Sequence, residues 1–377
     1  MDIKIKFNDL PQQYKKIKNE VIKSFNNIHK NSDYINGYEV KNFEKKFKNY
    51  LGVKHVITCG NGTDALQIAI MSLNLKPGDE VILPSFAYVS IIEVVCLLGL
   101  VPVLIDVDLF SFNINPQNIK KAISSKTKLI IPVHLFGQNS DMESIMNIAK
   151  ENNIFVIEDA AQSVNCLNIF SNNKKYISGT IGDIGCISFF PTKNLSCFGD
   201  GGALITNNSN LAKKIAMIKN HGQSIKYFHE IIGVNSRLDT LQASVLNIKL
   251  NYLKEENLKR KKNASVYNQK LASIKNIVLP KQSLYSEHIY HQYTIRVKKN
   301  KRNLLQNKLR IKNIPTIIYY PLPLHLQKAF KVSSIKVGAL NVSTQLCKEV
   351  LSLPIHPYLT TNQINFVIKC IKEIFHE

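Results

Sequence analysis

One lysine stands apart in a lysine-rich chain. It lies in the run Ser188-Phe189-Phe190-Pro191-Thr192-Lys193-Asn194-Leu195, among apolar and small residues, just ahead of the glycine-rich turn Gly199-Asp200-Gly201-Gly202. An amine taken out of water loses proton affinity and becomes nucleophilic, which suits Schiff-base formation. The commoner fate of a lysine is an exposed loop, and residue type alone does not separate the two. A second candidate is Glu158-Asp159-Ala160-Ala161-Gln162, at the end of an apolar run. Open α/β sheets bind ligands at the carboxyl ends of their strands, where Asp159 can pair with a protonated ring nitrogen. It can equally cap the next helix. A third is Gly60-Asn61-Gly62-Thr63-Asp64-Ala65. Its glycines allow a sharp turn and a close approach to a ligand, and a helix start offers N–H groups and a favourable dipole to a phosphate. An ordinary strand-to-helix turn capped by Thr63 or Asp64 would look similar, and the spacing matches neither the dinucleotide-binding nor the P-loop pattern. The order of the three carries more than any one of them: phosphate turn, acid at a strand end, then lysine on a loop.

Such residues need elements to position them. Short apolar runs alternate with helical patterns through the first two thirds of the chain. Strands are expected at 54–58, 80–84, 101–106, 129–133 and 155–158, with helices at 63–73, 89–98, 118–123 and 142–151. Two further strands, 184–189 and 202–206, flank the glycine-rich turn, and 211–220 reads as helix. This alternation predicts an α/β fold with a mostly parallel sheet covered by helices. A long amphipathic helix from Leu238 to Leu253 continues into the charged stretch 254–262, and the domain joint is placed there. Residues 1–250 form the expected large domain and 251–377 a smaller one, with strand 290–297 and helices 303–312 and 362–375. An N-terminal helix is allowed to pack on the small domain.

Composition narrows the function classes. The chain has 377 residues, 45% hydrophobic and 20% charged, enough for a sizeable core. Its formal net charge of +22 invites a nucleic-acid reading. The basic residues are spread out and mixed with Asn and Ile, however, so a solvated surface that favours anionic substrates is preferred and no nucleic-acid partner is expected. Seven cysteines without a C-x-x-C pair argue against a disulfide framework or a zinc site, and for a reducing compartment. The alternating start Met-Asp-Ile-Lys-Ile-Lys-Phe lacks a signal-peptide core, and the longest apolar run, near 91–103, is broken by Glu93, Gly99 and Pro102. A cytoplasmic protein without a membrane partner or metal is expected.

The ordered motifs resemble those of the DegT/DnrJ/StrS family of sugar aminotransferases over nearly the whole chain. Beyond the three runs above, the resemblance rests on Tyr34-Ile35-Asn36-Gly37, Pro84-Ser85-Phe86-Ala87-Tyr88, His134-Leu135-Phe136-Gly137-Gln138 and Gly233-Val234-Asn235-Ser236-Arg237-Leu238. It also rests on His291-Gln292-Tyr293-Thr294-Ile295-Arg296, Tyr320-Pro321-Leu322-Pro323-Leu324-His325 and Leu351-Ser352-Leu353-Pro354-Ile355-His356-Pro357. It implies the aspartate aminotransferase fold (fold type I), a homodimer with active sites at the subunit interface, and pyridoxal 5'-phosphate as cofactor. By position, Lys193 would hold the cofactor as a Schiff base, Asp159 would keep its ring nitrogen protonated, and Gln162 would contact the ring hydroxyl. Tyr88 would lie against the cofactor face. Gly62, Thr63, the Asp64 backbone and Ser188 would hold the phosphate, with Asn235 reaching in from the other subunit. Arg237, Tyr319 and His325 would touch substrate, although many relatives carry His in place of Tyr319, and an ion pair is nearly as good a reading of Arg237.

The implied activity is amino transfer, glutamate being the expected donor, to a nucleotide-linked 3-keto sugar. The segments 314–325 and 234–241 look most like members that act on UDP-linked N-acetylated 3-oxo-hexuronates, for surface polysaccharide such as lipopolysaccharide O-antigen. The alternatives are a dTDP-3-keto-6-deoxyhexose aminotransferase and a non-catalytic regulatory or nucleic-acid-binding member. Lys193 argues against the dehydratase branch, which carries His there.

Overall fold

The strand Glu80–Pro84 shows how the sheet is assembled. Val81 and Leu83 are buried in one apolar cluster and Ile82 in another. The same split recurs at Leu104 against Val103 and Ile105, at Leu129 against Ile130, and at Ile157 against Val156. Successive side chains of a strand point to opposite faces. A strand covered by helices on both faces therefore reads as an unbroken apolar run.

The computed structural model describes residues 3–331 and 333–375. Its central sheet has eight strands in the order His55–Cys59, Gly202–Thr206, Ile184–Ser188, Phe155–Asp159, Thr127–Ile130, Glu80–Pro84, Val101–Ile105 and Ile335–Lys336. Gly202–Thr206 runs against both its neighbours, and every other pairing is parallel. Helices Gly62–Ser72, Ser90–Leu97 and Ser209–Ile218 cover one face, and Pro116–Ala122 and Met142–Glu151 the other. Several helix starts are fixed by side-chain caps: Asn61 accepts the Asp64 N–H (2.8 Å), and Asp141 the Ser144 N–H (3.2 Å).

The long helix expected from Leu238 is interrupted. Thr240–Lys249 ends in a tight turn at Leu250–Tyr252, and a new helix runs from Leu253 to Leu271. Leu246, Leu250 and Leu253 pack into the large-domain core, whereas Ala264, Tyr267 and Leu271 pack into a second core. The turn re-aims the chain from one to the other. That second core lies under a three-stranded antiparallel sheet of Ile277–Val278, Tyr293–Val297 and Val350–Leu353, with helices Arg302–Ile311 and Thr361–Phe375.

A division at residue 250/251 is too simple. Leu324, Phe330, Leu340, Leu346 and Val350 pack into the core of the large sheet, and Ile335–Lys336 forms its edge. Ile5, in turn, packs into the second core. The N-terminal helix Leu10–Asn31 lies along Thr240–Lys249 and reaches the next helix through Gln13 Nε2, which donates to Glu256 Oε2 (3.3 Å).

Candidate active site

A cavity of about 380 Å³ opens at the carboxyl ends of the parallel strands, where the connections leave a crevice. Asp159 closes the strand Phe155–Asp159 and lines this cavity; Glu158, one residue earlier, sits on the opposite face. Asp159 Oδ1 accepts one N–H, from Ala161 (3.1 Å). Burial pushes its carboxyl above the ordinary carboxylate range, against the pull of that N–H and of Lys193 and His134.

Lys193 sits on the loop leaving Ile184–Ser188, its own N–H donating to Phe190 O (2.8 Å). Buried Asn194 and Leu195 anchor the loop behind it. Burial lowers the Lys193 amine to about 8, and the Asp159 charge only partly offsets this. The two shifts run in opposite directions because desolvation outweighs the attraction of the pair. At neutral pH a useful fraction of the amine is therefore unprotonated.

The turn after His55–Cys59 is built to receive an anion. Asn61 takes the Asp64 N–H with its side chain and the Ala65 N–H with its carbonyl. The N–H groups of Gly62 and Thr63, at the helix start, have no partner among the described residues and border the cavity. A Cβ on Gly62 would stand 2.7 Å from Ser188 Cβ, so only glycine brings this turn against Ser188. Ser236 braces the turn from outside: its Oγ accepts the Gly60 N–H (2.8 Å) and donates to Asp64 Oδ2 (2.6 Å).

Gln162 is held in one orientation. The Phe136 N–H can only donate, so Gln162 Oε1 faces it (2.8 Å) and Nε2 points to the Tyr320 hydroxyl (3.3 Å). That leaves an N–H donor on the cavity side, as a ring oxygen requires. Tyr88 stands half exposed at the mouth, its ring 6.2 Å from the half-buried Tyr320. Two N–H groups and a hydroxyl for a phosphate, a carboxylate for a ring nitrogen, an amide N–H for a ring oxygen and a deprotonatable amine for an aldehyde together fit pyridoxal phosphate.

Of the residues expected from sequence, the structure gathers Gly62, Thr63, Tyr88, Asp159, Gln162, Ser188, Lys193 and Tyr319 around one cavity. Four lie elsewhere. The Asp64 N–H is taken by Asn61, which leaves Gly62 and Thr63 as the backbone donors of the turn that face the cavity. Asn235 is exposed and Arg237 half buried, both outside the lining of their own chain's cavity. His325 was expected at substrate but is buried away from the cavity, Nδ1 bonded to Ser85 Oγ (2.6 Å), where it braces the end of Glu80–Pro84. Ser236, Tyr320, His291 and Gln292 belong to the site or its frame and carried no expected role. They lay inside recognisable motifs, but no spacing rule told a lining residue from its neighbour.

Comparison with known proteins agrees with this geometry. The DegT/DnrJ/EryC1/StrS aminotransferase family model matches residues 15–372. A Pseudomonas aeruginosa UDP-2-acetamido-2-deoxy-3-oxo-D-glucuronate aminotransferase is 42% identical, over 96% of this chain and 98% of that protein. A dTDP-3-amino-3,6-dideoxy-alpha-D-galactopyranose transaminase of Aneurinibacillus thermoaerophilus is 41% identical over 97% and 98%. A Geobacillus stearothermophilus protein named as a pleiotropic regulatory protein is also 41% identical, over 97% of each chain. Among solved structures, a family member from Brucella abortus superposes with a TM-score of 0.94 at 39% identity, covering 99% of this chain and 100% of that one. NtdA of Bacillus subtilis, with its cofactor PMP bound, superposes at 0.90 and 31% identity, covering 99% and 86%. With a fold type I sheet and a cavity whose donors suit this cofactor, the chain belongs to the DegT/DnrJ/EryC1/StrS aminotransferase family and is a pyridoxal-phosphate-dependent aminotransferase.

Proposed function

We propose that the protein transfers an amino group from glutamate to the 3-keto group of a UDP-linked N-acetylated hexuronic acid, in the cytoplasm, to supply an amino sugar for a surface polysaccharide such as O-antigen. The observation that carries the substrate class is the full-length similarity to the Pseudomonas aeruginosa enzyme of that name. The net charge of +22 favours approach of an anionic nucleotide sugar, whose diphosphate and uronate carboxylate carry three negative charges. All seven cysteines are free, in keeping with a reducing compartment, and no helix among the described residues is long and apolar enough to cross a membrane.

When bound, pyridoxal phosphate supplies an electron sink for negative charge at the carbon next to the transferred nitrogen. Lys193 Nζ would hold the cofactor and, once released, would take the proton from the donor's α-carbon and deliver it to the cofactor carbon that had carried the aldehyde. Asp159 keeps the ring nitrogen protonated. Gly62, Thr63 and Ser188 hold the phosphate, Gln162 the ring oxygen, and Tyr88 the ring face. Tyr319 is the substrate contact offered by this chain's own cavity. Asn235 and Arg237 are assigned to the neighbouring active site of a homodimer, which accounts for their place outside their own cavity.

A dTDP-linked 3-keto-6-deoxyhexose is the second reading, favoured by the Aneurinibacillus relative. Purified protein offered UDP- and dTDP-linked 3-keto sugars with glutamate separates the two by the mass of the aminated product. An aminated UDP-hexuronate is expected. Amination of the dTDP sugar alone selects the second reading, and no product from either, in protein that binds the cofactor, turns the case toward the regulatory relative.

A further inference from the structure

The helix Arg302–Ile311 sits on the outside of the second core and has two unlike faces. Leu305 and Leu309 are fully buried in that core, and Arg302 Nη1 reaches inward to the carbonyls of Cys347 (3.2 Å) and Val350 (3.1 Å). On the other side Leu304 and Ile311 stand 47% and 78% exposed. Seven residues apart, they share one stripe of the helix, with Lys308 and Arg310 exposed on either flank. Between Lys298 and Lys312 there are seven basic residues and no acidic one. Arg302 is committed inward and Lys312 pairs with Glu373 (3.0 Å). That leaves Lys298, Lys299, Lys301, Lys308 and Arg310 without a carboxylate partner among the described residues. None of this stretch lines the active-site cavity.

We propose that this face docks flat on an anionic lipid surface, Leu304 and Ile311 entering the headgroup boundary while the five free cations meet lipid phosphates. Helices that lie in a membrane interface combine these two features, an apolar stripe and a basic surround. The apolar pair is what selects among anionic partners. A nucleic acid is met by cations alone and gains nothing from two exposed aliphatic side chains, and the stretch 298–312 carries no aromatic ring to stack on a base. The sequence argued against a segment that spans a bilayer; a short helix resting on its surface is a different arrangement, held reversibly and weakened by salt. The contact leaves the cavity free, and it stands or falls independently of which sugar the protein aminates.

The test is co-sedimentation of the full-length protein, at physiological ionic strength, with vesicles of equal parts phosphatidylglycerol and phosphatidylcholine and with vesicles of phosphatidylcholine alone. Binding to the anionic vesicles only is expected. Lys308→Gln with Arg310→Gln should weaken it about 25-fold, at about fivefold for each basic side chain near a charged surface. Leu304→Ser with Ile311→Ser should weaken it about tenfold. Lys120→Gln with Lys121→Gln, an equal loss of charge on the exposed side of the helix Pro116–Ala122, should leave it nearly unchanged. Equal losses from the two charge pairs would show that overall charge and not this face is responsible, and would overturn the proposal. So would full binding by the serine variant, or no binding by wild type. Duplex DNA retained by wild type and lost in Lys308→Gln with Arg310→Gln, without any vesicle binding, selects a nucleic-acid surface instead. All six positions are solvent-facing, so amino transfer in solution should match wild type in every variant.

Discussion

Glu158 and Asp159 are neighbours on one strand and share almost nothing else. Glu158 is fully enclosed, and every direction around its carboxylate is answered. His134 Nε2 donates to it (2.8 Å), its own Nδ1 being occupied by the Ser140 N–H, and Gly179, Ile181 and Gly182 add N–H donors. Burial alone would raise this carboxyl, but the His134 contact and these N–H groups hold it below its ordinary value. Asp159 accepts a single backbone N–H and stays above its ordinary value. A carboxylate whose bonds are all made inside the protein is structural. One left under-satisfied at the rim of a cavity is available to a ligand. The two-residue period of a strand puts one of each on opposite faces.

Removing what Asp159 faces gives the largest effect. Lys193→Ala is expected to abolish amino transfer and the absorbance of covalently held cofactor, while folding as wild type by circular dichroism. Next, Asp159→Asn should lower turnover about 10²- to 10³-fold, the range for loss of one preorganised electrostatic group, with unchanged or slightly higher thermal stability. A loss of stability there would break the contrast. Glu158→Gln should do the reverse: a loss of about 3 kcal/mol in urea unfolding, as for breaking a buried charge pair, with turnover of the folded fraction nearly kept.

The two carboxyls also predict opposite pH slopes. Glu158, held below its ordinary value of 4.5, contributes stability that is present above that pH and lost as pH falls through its folded value. Asp159, held above its ordinary 3.8, carries a burial cost that is relieved as pH falls. Urea unfolding between pH 6 and 3 should therefore depend less on pH in Glu158→Gln than in wild type, and more in Asp159→Asn.

The smallest expected effect comes from Lys249. Burial lowers its amine to about 8, as for Lys193, yet Nζ is bound to Ser196 Oγ (3.0 Å) above the Phe198 ring and lies outside the cavity. Lys249→Met should raise stability by about 1 kcal/mol and leave cofactor binding intact. A loss of cofactor would mean that a lowered amine, and not its place in the cavity, marks the site.

The sheet was legible in the chain because strands covered on both faces read as short apolar runs. Glu80–Pro84, Gly202–Thr206 and the helix Met142–Glu151 fall where the pattern puts them. The helix Asn341–Glu349 and the edge strand Ile335–Lys336 escaped that reading. Their residues are half polar, and only packing against the large sheet explains them. The motif order singled out Lys193, Asp159 and Gln162, since chemistry of this kind demands fixed residue types at strand ends. Sequence alone thus determined seven of the eight strands of the sheet, most of its helices and the residues at its carboxyl edge. Which side of the strand each carboxylate takes, that His325 braces Ser85, and that His291 lines the same cavity as Lys193 were decided only by tertiary structure, because burial and hydrogen-bond partners come from segments distant along the chain.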